Sequence, residues 1–323
     1  VHRERQGALE PMGYPFEVAR EKKPICSSDQ VYDRYLRQVG WVSAVLSLVA
    51  PGDDVCGFLL GCRYAFAALT SLAAAGLIAA LSWRLGIRAA AGAAAATAAS
   101  NWFADFSRSL YWTPFLALAA VGWCWFGFGR VRPRVLWAVF AGLVALKCLN
   151  GYEHVTAVLL APLAVIAFEL PDRRALRPAV AAVAAGLAGF AAAFAVHVVY
   201  LWTAVGRELA LANTFGKAWQ RSVGQPVPLR DQLRGAYGVF AHDHVLAAVV
   251  GIWLVAAALG WRRARPLALS SAVALAGAAS WLVLARSHVA LAPMFNMLPF
   301  YFGAVMLLGA CSAEVIGGWV QRK

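Results

Sequence analysis

The residues best suited to chemistry lie in short polar segments between long apolar runs. The first segment, residues 101–112, holds Asp105 and Arg108 three positions apart. On a helical turn, residues with this spacing share a face. A carboxylate beside an arginine could there take a proton from a hydroxyl group while the arginine binds a phosphate. The alternative is a purely structural ion pair between two membrane spans.

A second segment crowds several functional groups into one turn. It contains Lys147, Asn150, Tyr152, Glu153 and His154 on either side of a glycine. A tight hairpin at this glycine would direct a cation, an amide, an acid and an imidazole into one small volume, and we expect substrate binding there. Glu153 and His154 could also hold a proton or a metal ion. The alternative for Lys147 is a side chain that extends to the membrane surface.

Two further groups complete the candidate residues. His242, Asp243 and His244 are consecutive. In an extended segment both histidines could point the same way and bind a divalent metal ion, the only cofactor that these residues suggest. On a helix the histidines would diverge, and Asp243 would cap the helix. Arg286 and His288 bracket the last short connection, either as substrate-binding residues or as anchors at the membrane interface.

The composition explains why such segments are rare. Of the 323 residues, 61% are apolar and 14% are charged. An ordinary soluble domain carries about 25% charged residues. Because so apolar a chain needs a bilayer as its solvent, the composition excludes soluble and disordered proteins. The sequence therefore predicts an all-α integral membrane protein in contact with membrane lipids.

The apolar runs, compared with the roughly 20 residues that cross a bilayer, predict about nine transmembrane helices. Their approximate bounds are 59–83, 87–101, 111–129, 135–150, 154–168, 178–204, 244–261, 267–285 and 295–317. The second and fifth runs are short, which indicates tilted, broken or partly interfacial helices. Small residues dominate 89–99 and 181–193, and such stretches favour close helix packing.

The basic residues are unevenly placed. Of the 29 lysines and arginines, 13 follow the first, third, fifth, seventh and ninth runs, where only three acidic residues accompany them. This clustering is typical of cytoplasmic loops. It predicts an N-terminal region outside and a cytoplasmic C-terminus, in a bacterial inner membrane. The net charge of +13 thus orients the protein and gives no reason to expect a nucleic-acid partner.

Two long polar segments are expected on the outer face. Within residues 1–58, apolar residues recur at steps of three and four over 31–50, which predicts an amphipathic interfacial helix or a surface helix that packs on the bundle. Residues 206–243 are expected to form a long outer loop, of the kind that serves as a lid or as a plain connector. The chain thus divides into an outer region 1–58, a transmembrane module 59–205, the loop 206–243 and C-terminal helices 244–323. Because no apolar run precedes the first region, we expect a transmembrane helix or signal segment before Val1.

This layout resembles the GT-C superfamily of glycosyltransferases that use polyprenyl-phosphate-linked sugars. The shared features are a translocated first loop with an interfacial helix, a short second outer loop with an acid, and a long outer loop after the seventh membrane pass. The loop 206–243 follows the seventh pass when the helix expected before Val1 is counted as the first. The segments Ser107-Arg-Ser-Leu-Tyr-Trp and Lys147-Cys-Leu-Asn-Gly-Tyr-Glu are also similar to patterns in bacterial membrane proteins of this kind. The resemblance covers nearly the whole chain, although its motifs are short.

The resemblance implies roles for individual residues. In that superfamily an acid of the first outer loop is the general base, for which Glu10, Asp29 and Asp33 are candidates here. Asp105 would occupy the acid position of the second outer loop. The departing polyprenyl phosphate needs fixed positive charge, and the basic residues near the membrane boundary would supply it. Those residues are Arg108, Lys147 and Arg286.

The sequence therefore predicts an inverting transfer of a sugar from a polyprenyl-phosphate donor to an acceptor on the outer face. Two other functions fit the same composition. A lipid or solute transporter would be expected to show charges at mid-membrane and matched broken helices in two halves. A non-catalytic membrane assembly subunit would be expected to lack an acid that faces a pocket.

Overall fold

The structure, a computed structural model, describes residues 41–49, 55–109, 113–170, 172–208, 228–284 and 293–320. Within these ranges every regular element is helical, as the sequence predicts. The α-helices are α1 (Trp41–Val49), α2 (Val55–Leu85), α3 (Ile87–Ala98), α4 (Asn101–Ser107), α5 (Pro114–Gly127), α6 (Pro133–Asn150), α7 (Val155–Glu169), α8 (Leu176–Val205), α9 (Leu229–His242), α10 (His244–Gly260), α11 (Ala264–Leu284) and α12 (Ala304–Val320). A 3₁₀ helix over Pro293–Phe302 leads into α12.

Helices α10 and α11 form a hairpin, although helical hydrogen bonding continues through the turn. The backbone is non-helical at Ala264, and Pro266 follows. Trp253 of α10 and Ala268 of α11 belong to one buried cluster with Leu308 and Cys311 of α12. In a straight helix Trp253 and Ala268 would lie about 22 Å apart. Since both pack in the same cluster, the chain reverses between them.

All nine predicted apolar runs contain helix, but the prediction of nine spans is not confirmed. In the part of the chain that the structure describes, four helices are long and apolar enough to cross a membrane: Gly57–Leu85, Pro133–Asn150, Arg173–Thr203 and Ala264–Leu284. Two bent pairs raise the number to six if each pair is one span. One pair joins α9 to α10 at 93°, and the other joins the 3₁₀ helix to α12 at 55°.

The remaining apolar helices are short. Helices α3, α5 and α7 have 12, 14 and 15 residues, which corresponds to about 18–22 Å of axial length. The hydrocarbon core of a bilayer is about 30 Å thick. By contrast, α2 and α8 have 31 and 30 residues, or about 45 Å. Short helices thus end well inside the thickness that their long neighbours cover.

The 3₁₀ helix and α12 form the centre of the bundle. All residues from Asn296 to Ser312 are buried, and α12 packs mainly against α3 and the α10–α11 hairpin. The predicted close packing of small residues is confirmed in this interface, because a Cβ added at Gly92 would collide with the carbonyl of Gly309. It is confirmed also between α8 and α6, where a Cβ at Gly189 would collide with the carbonyl of Ala141.

One end of the bundle collects the arginine-rich connections, and we call it the arginine-rich end. The guanidinium group of Arg84, at the end of α2, pairs with Glu169 at the end of α7. The same group donates to the carbonyls of Trp125 and Phe128 at the end of α5. A single buried arginine therefore joins the ends of three helices.

Further contacts place other connections at this end. The guanidinium group of Arg130 lies 3.7 Å from the ring centroid of Trp83. The backbone amide of Ala89, after the α2–α3 turn, donates to Glu314 of α12 at 3.2 Å. The connections after the first, third and fifth apolar runs therefore meet at one end of the bundle, together with the C-terminal part of α12.

The two outer segments are described only in part. Helix α1 falls in the last part of the predicted amphipathic helix, and the indole of Trp41 donates to the carbonyl of Leu146 at 2.8 Å. The C-terminal part of the predicted loop 206–243 is helix α9. Residues 1–40, 50–54 and 209–227, which include Glu10, Asp29 and Asp33, lie outside the described residues.

Candidate functional site

Buried polar side chains gather at the end of the bundle opposite the arginine-rich end, and we call this region the polar end. They come from α2, α4, the turns that flank α3, α5 and α7, and the entries to α10 and α12. Its buried members are Thr70, Ser100, Ser107, Ser109, Thr113, Lys147, Asn150, Glu153, His154, Asp243 and Asn296. Because the short helices α3, α5 and α7 end here, the polar end is recessed relative to the tips of α2 and α8.

An ion pair stands on the exposed rim of the polar end. Ser100 caps α4 by accepting the amide of Phe103 at 3.3 Å, and this cap starts the turn that carries Asp105. Arg108, at the end of the same helix, binds Asp105 at 2.6 Å. The pair shares one face, as its spacing predicts, and lies within one helical turn rather than between two spans. Both side chains are partly open to solvent, with 37% and 45% exposure.

A second arginine, which the sequence reasoning missed, belongs to the same rim. Arg63 of α2 is partly buried and interacts electrostatically with Asp105 and Arg108. Among the residues that the structure describes, the rim therefore holds two cations and one carboxylate, with a net charge of +1. The available signal was Arg63 itself, because an arginine inside a long apolar helix usually faces a partner or a cavity.

The turn after α6 is built around a buried lysine. The ammonium group of Lys147 donates to the carbonyls of Gly151 and Glu153, both at 2.6 Å. Lys147 also lies within electrostatic range of the Glu153 side chain. The predicted alternative, in which Lys147 extends to the membrane surface, is wrong. The geometry supports a structural role that holds this turn closed.

The other residues of this turn face different neighbours. The amide of Asn150 donates to the hydroxyl of Thr113 at 3.4 Å. The ring of His154 packs edge-on against Trp281, with centroids 4.7 Å apart. Glu153 is buried beside Lys147. The hairpin thus brings Lys147 and Glu153 together, whereas Asn150 and His154 connect the turn to α5 and α11.

Tyr152 lies on the side of this turn that faces α8. Its ring stacks on His197, and its hydroxyl shares a hydrogen bond of 3.1 Å with Nδ1 of that histidine. Burial raises the pKa of the Tyr152 phenol well above its usual range, so the phenol stays protonated. This contact attaches the turn to α8.

The segment His242–His244 adopts the capping arrangement. Asp243 is buried, and its carboxylate accepts the amide of Leu246 at 2.9 Å and the hydroxyl of Tyr301 at 2.5 Å. His242 and His244 are both exposed. Within the described ranges, no three His, Cys, Asp or Glu side chains are grouped to hold a metal ion. The structure therefore favours the helix cap over the predicted metal site.

A cavity of about 390 Å³ lies at the arginine-rich end, not at the polar end. Its lining includes Arg84, Phe168, Pro266 and Glu314. The charged groups of this lining already bind protein partners: Arg84 binds Glu169 and backbone carbonyls, and Glu314 accepts a backbone amide. These contacts hold helix ends together, so we do not assign the reaction to this cavity.

The comparisons with known proteins give no further guide. No protein-family model, curated protein or solved structure matches the chain. Two predicted substrate-binding residues, Arg286 and His288, lie outside the described residues. The candidate functional site is therefore the polar end and its rim.

Proposed function

We propose that the protein is a membrane glycosyltransferase that moves a sugar from a polyprenyl-phosphate donor to an acceptor at the polar end. One observation carries the proposal: Asp105 lies with Arg63 and Arg108 on the rim of an apolar bundle. The group combines a carboxylate that can accept a proton with two cations that can bind a phosphate. The net charge of +1 favours binding of an anionic ligand.

The reaction uses these three side chains in separate roles. A hydroxyl of the acceptor attacks the anomeric carbon of the donor sugar, and its proton passes to the carboxylate of Asp105. The bond between the anomeric carbon and the phosphate oxygen breaks, and the electron pair leaves with the polyprenyl phosphate. Arg63 and Arg108 stabilise the negative charge that develops on this phosphate.

The ion pair between Asp105 and Arg108 suits the state before substrate binds. Each group neutralises the other at 2.6 Å while both remain partly exposed. An entering phosphate would compete for Arg108, because bidentate contacts of arginine with phosphate are strong. Once Arg108 turns to the phosphate, Asp105 is free to act as the base. Substrate binding and base activation are thereby coupled.

The recess supports a lipid-linked donor. Helices α3, α5 and α7 end about 20 Å from the arginine-rich end, inside the hydrocarbon core of about 30 Å. Arg63 lies 22 residues before the end of α2, or about 33 Å from that end, so the rim lies near the depth of the phosphate groups of one leaflet. A polyprenyl chain could stay among the acyl chains while its phosphate reaches Arg63 and Arg108. We propose that this leaflet is the outer one of a bacterial inner membrane, since arginine-rich ends usually face the cytoplasm.

The test is a transfer assay with protein reconstituted in lipid vesicles and polyprenyl-phosphate sugars as donors. We expect Asp105→Asn to lower the rate about 10²- to 10⁴-fold, because general-base catalysis contributes roughly that factor. A matched control is Asp172→Asn, which removes an acid that pairs with Arg174 at 3.8 Å at the start of α8. We expect the control to keep the parent rate. A parental rate in Asp105→Asn would remove Asp105 from the mechanism.

A transporter is the second candidate, and the two bent helix pairs favour it. Broken helices often line substrate sites in transporters. Here both breaks fall within residues 229–303, at Asp243 and Gly303. The breaks therefore belong to one half of the chain and not to matched positions in two halves. Donor taken up into vesicles without any sugar transfer would favour the transporter.

A further inference from the structure

Helix α9 (Leu229–His242) differs from the other helices in its direction and surface. It bends 93° away from α10. Because α10 bears lipid-facing side chains such as Ile252, Val255 and Leu259 on its exposed surface, we take α10 as part of a membrane span. A helix at a right angle to a span lies along the membrane plane.

The surface of α9 carries an exposed apolar stripe. Leu229, Leu233 and Tyr237 follow one another at steps of four, and their exposures are 68%, 61% and 71%. Residues at this spacing lie on one face of a helix. Three large apolar side chains on one exposed face indicate a surface that another apolar medium covers.

The other faces of α9 show which medium this is. Gly235 and Val239 are buried and turn toward the bundle, where α9 packs against the 3₁₀ helix. Asp231 is exposed on a different side from the apolar stripe. Successive residues turn by about 100° around the helix axis. The helix therefore presents four sides in turn, which are the apolar stripe, the arginines, Asp231 and the side that packs on the bundle.

The arginines in this order are Arg230 and Arg234, and both are exposed. They lie between the apolar stripe and the side that carries Asp231. A helix at a membrane surface needs this order, with acyl chains below, phosphate groups at its flank and water above. The C-terminal end of α9 is held in place, because the carbonyl of His242 accepts the indole N–H of Trp102 at 3.1 Å.

We propose that α9 is an interfacial helix that binds an anionic phospholipid leaflet at the polar end. Leu229, Leu233 and Tyr237 enter the acyl-chain region. Arg230 and Arg234 bind the lipid phosphates. This assignment does not depend on the proposed reaction, since it concerns the surrounding lipid and not the donor.

The test uses the full chain in vesicles of phosphatidylcholine, with and without phosphatidylglycerol, and needs no sugar donor. A fluorescent label on Leu233→Cys should shift to shorter wavelength and be quenched by brominated lipids. The matched control is Asp231→Cys, two positions away, whose label should stay in water. Equal quenching and equal exposure to water at the two positions would overturn the interfacial assignment.

The arginines give a second readout in the same vesicles. The label at position 233 should be quenched more by brominated phosphatidylglycerol than by brominated phosphatidylcholine. Replacing Arg230 or Arg234 by Gln should lower this preference about fivefold each, since one basic residue contributes about 1 kcal/mol at an anionic surface. Arg177→Gln, at the start of α8, should leave the preference unchanged. An unchanged preference in the Arg230→Gln, Arg234→Gln double variant would contradict the anionic-lipid assignment.

Discussion

The two ends of the bundle use arginine in different ways. At the arginine-rich end, Arg84 binds two backbone carbonyls and the carboxylate of Glu169, so its charge joins helix ends. On the partly open rim of the polar end, Arg108 pairs with the carboxylate of Asp105 and Arg63 interacts electrostatically with both groups. The comparison shows that the number of arginines does not identify a ligand site. What identifies it is whether the fold already supplies protein partners for those arginines.

The largest expected effect is on stability at the arginine-rich end. We expect Arg84→Met to lower the free energy of unfolding by roughly 3 kcal/mol, because two carbonyls lose a charged donor and Glu169 loses its partner. The measurement is the thermal midpoint of the purified protein in detergent. The control is Arg130→Met at the same end, which loses an exposed hydrogen bond of 3.3 Å to the carbonyl of Phe126 and a contact with Trp83 of about 0.5–1 kcal/mol. Similar midpoints for the two variants would contradict the joining role of Arg84.

At the polar end, the expected effect is on rate and not on stability. We expect replacement of both Arg63 and Arg108 by Gln to lower sugar transfer by at least about 10²- to 10³-fold, since the loss of one preorganised donor already has this magnitude. The thermal midpoint should stay close to that of the parent, because both groups lie on the rim. A large fall in the thermal midpoint together with a normal rate of sugar transfer would contradict the catalytic role of the rim. It would assign these arginines the structural role that Arg84 has at the opposite end.

The smallest expected effect concerns the packing that holds the two ends together. At Gly92 a larger side chain would meet α12, whereas at Gly76 of α2 nothing lies within 4 Å of an added Cβ. We expect Gly92→Val to destabilise the protein by about 1–3 kcal/mol, as overpacking usually does. Gly76→Ala should stabilise it by about 0.5–1 kcal/mol through higher helix propensity. The thermal midpoint of the purified protein in detergent distinguishes the two variants. Equal midpoints would argue against close contact of α3 and α12.

Hydropathy predicted where helices lie, because long apolar runs have few alternatives in a bilayer. It did not predict which helices break. The run 295–317 reads as one span, yet the chain bends at Gly303, whose φ of +132° favours glycine. The run 244–261 gives no sign that its first residues follow a right-angle bend at Asp243. Both bends depend on residues far along the chain. Asp243, for example, accepts a hydrogen bond from the hydroxyl of Tyr301.

The candidate site was predictable only where it depends on contacts between residues close in the sequence. The pairing of Asp105 with Arg108 is local, and its spacing of three predicts it. The contribution of Arg63 is not local, since it depends on the packing of α4 against α2. Helix α9 was predicted as loop, because its many polar residues hid the recurrence of Leu229, Leu233 and Tyr237.

The central claim is that the two ends face opposite compartments, with the rim of Asp105 outside. The most direct measurement is labelling of intact cells with a membrane-impermeant thiol reagent, in a chain whose six native cysteines are replaced. Asn101→Cys reports the polar end and Arg132→Cys the arginine-rich end, and both positions are exposed. We expect Asn101→Cys to react in intact cells and Arg132→Cys only after permeabilisation. Reaction of both positions from the same side would contradict the account.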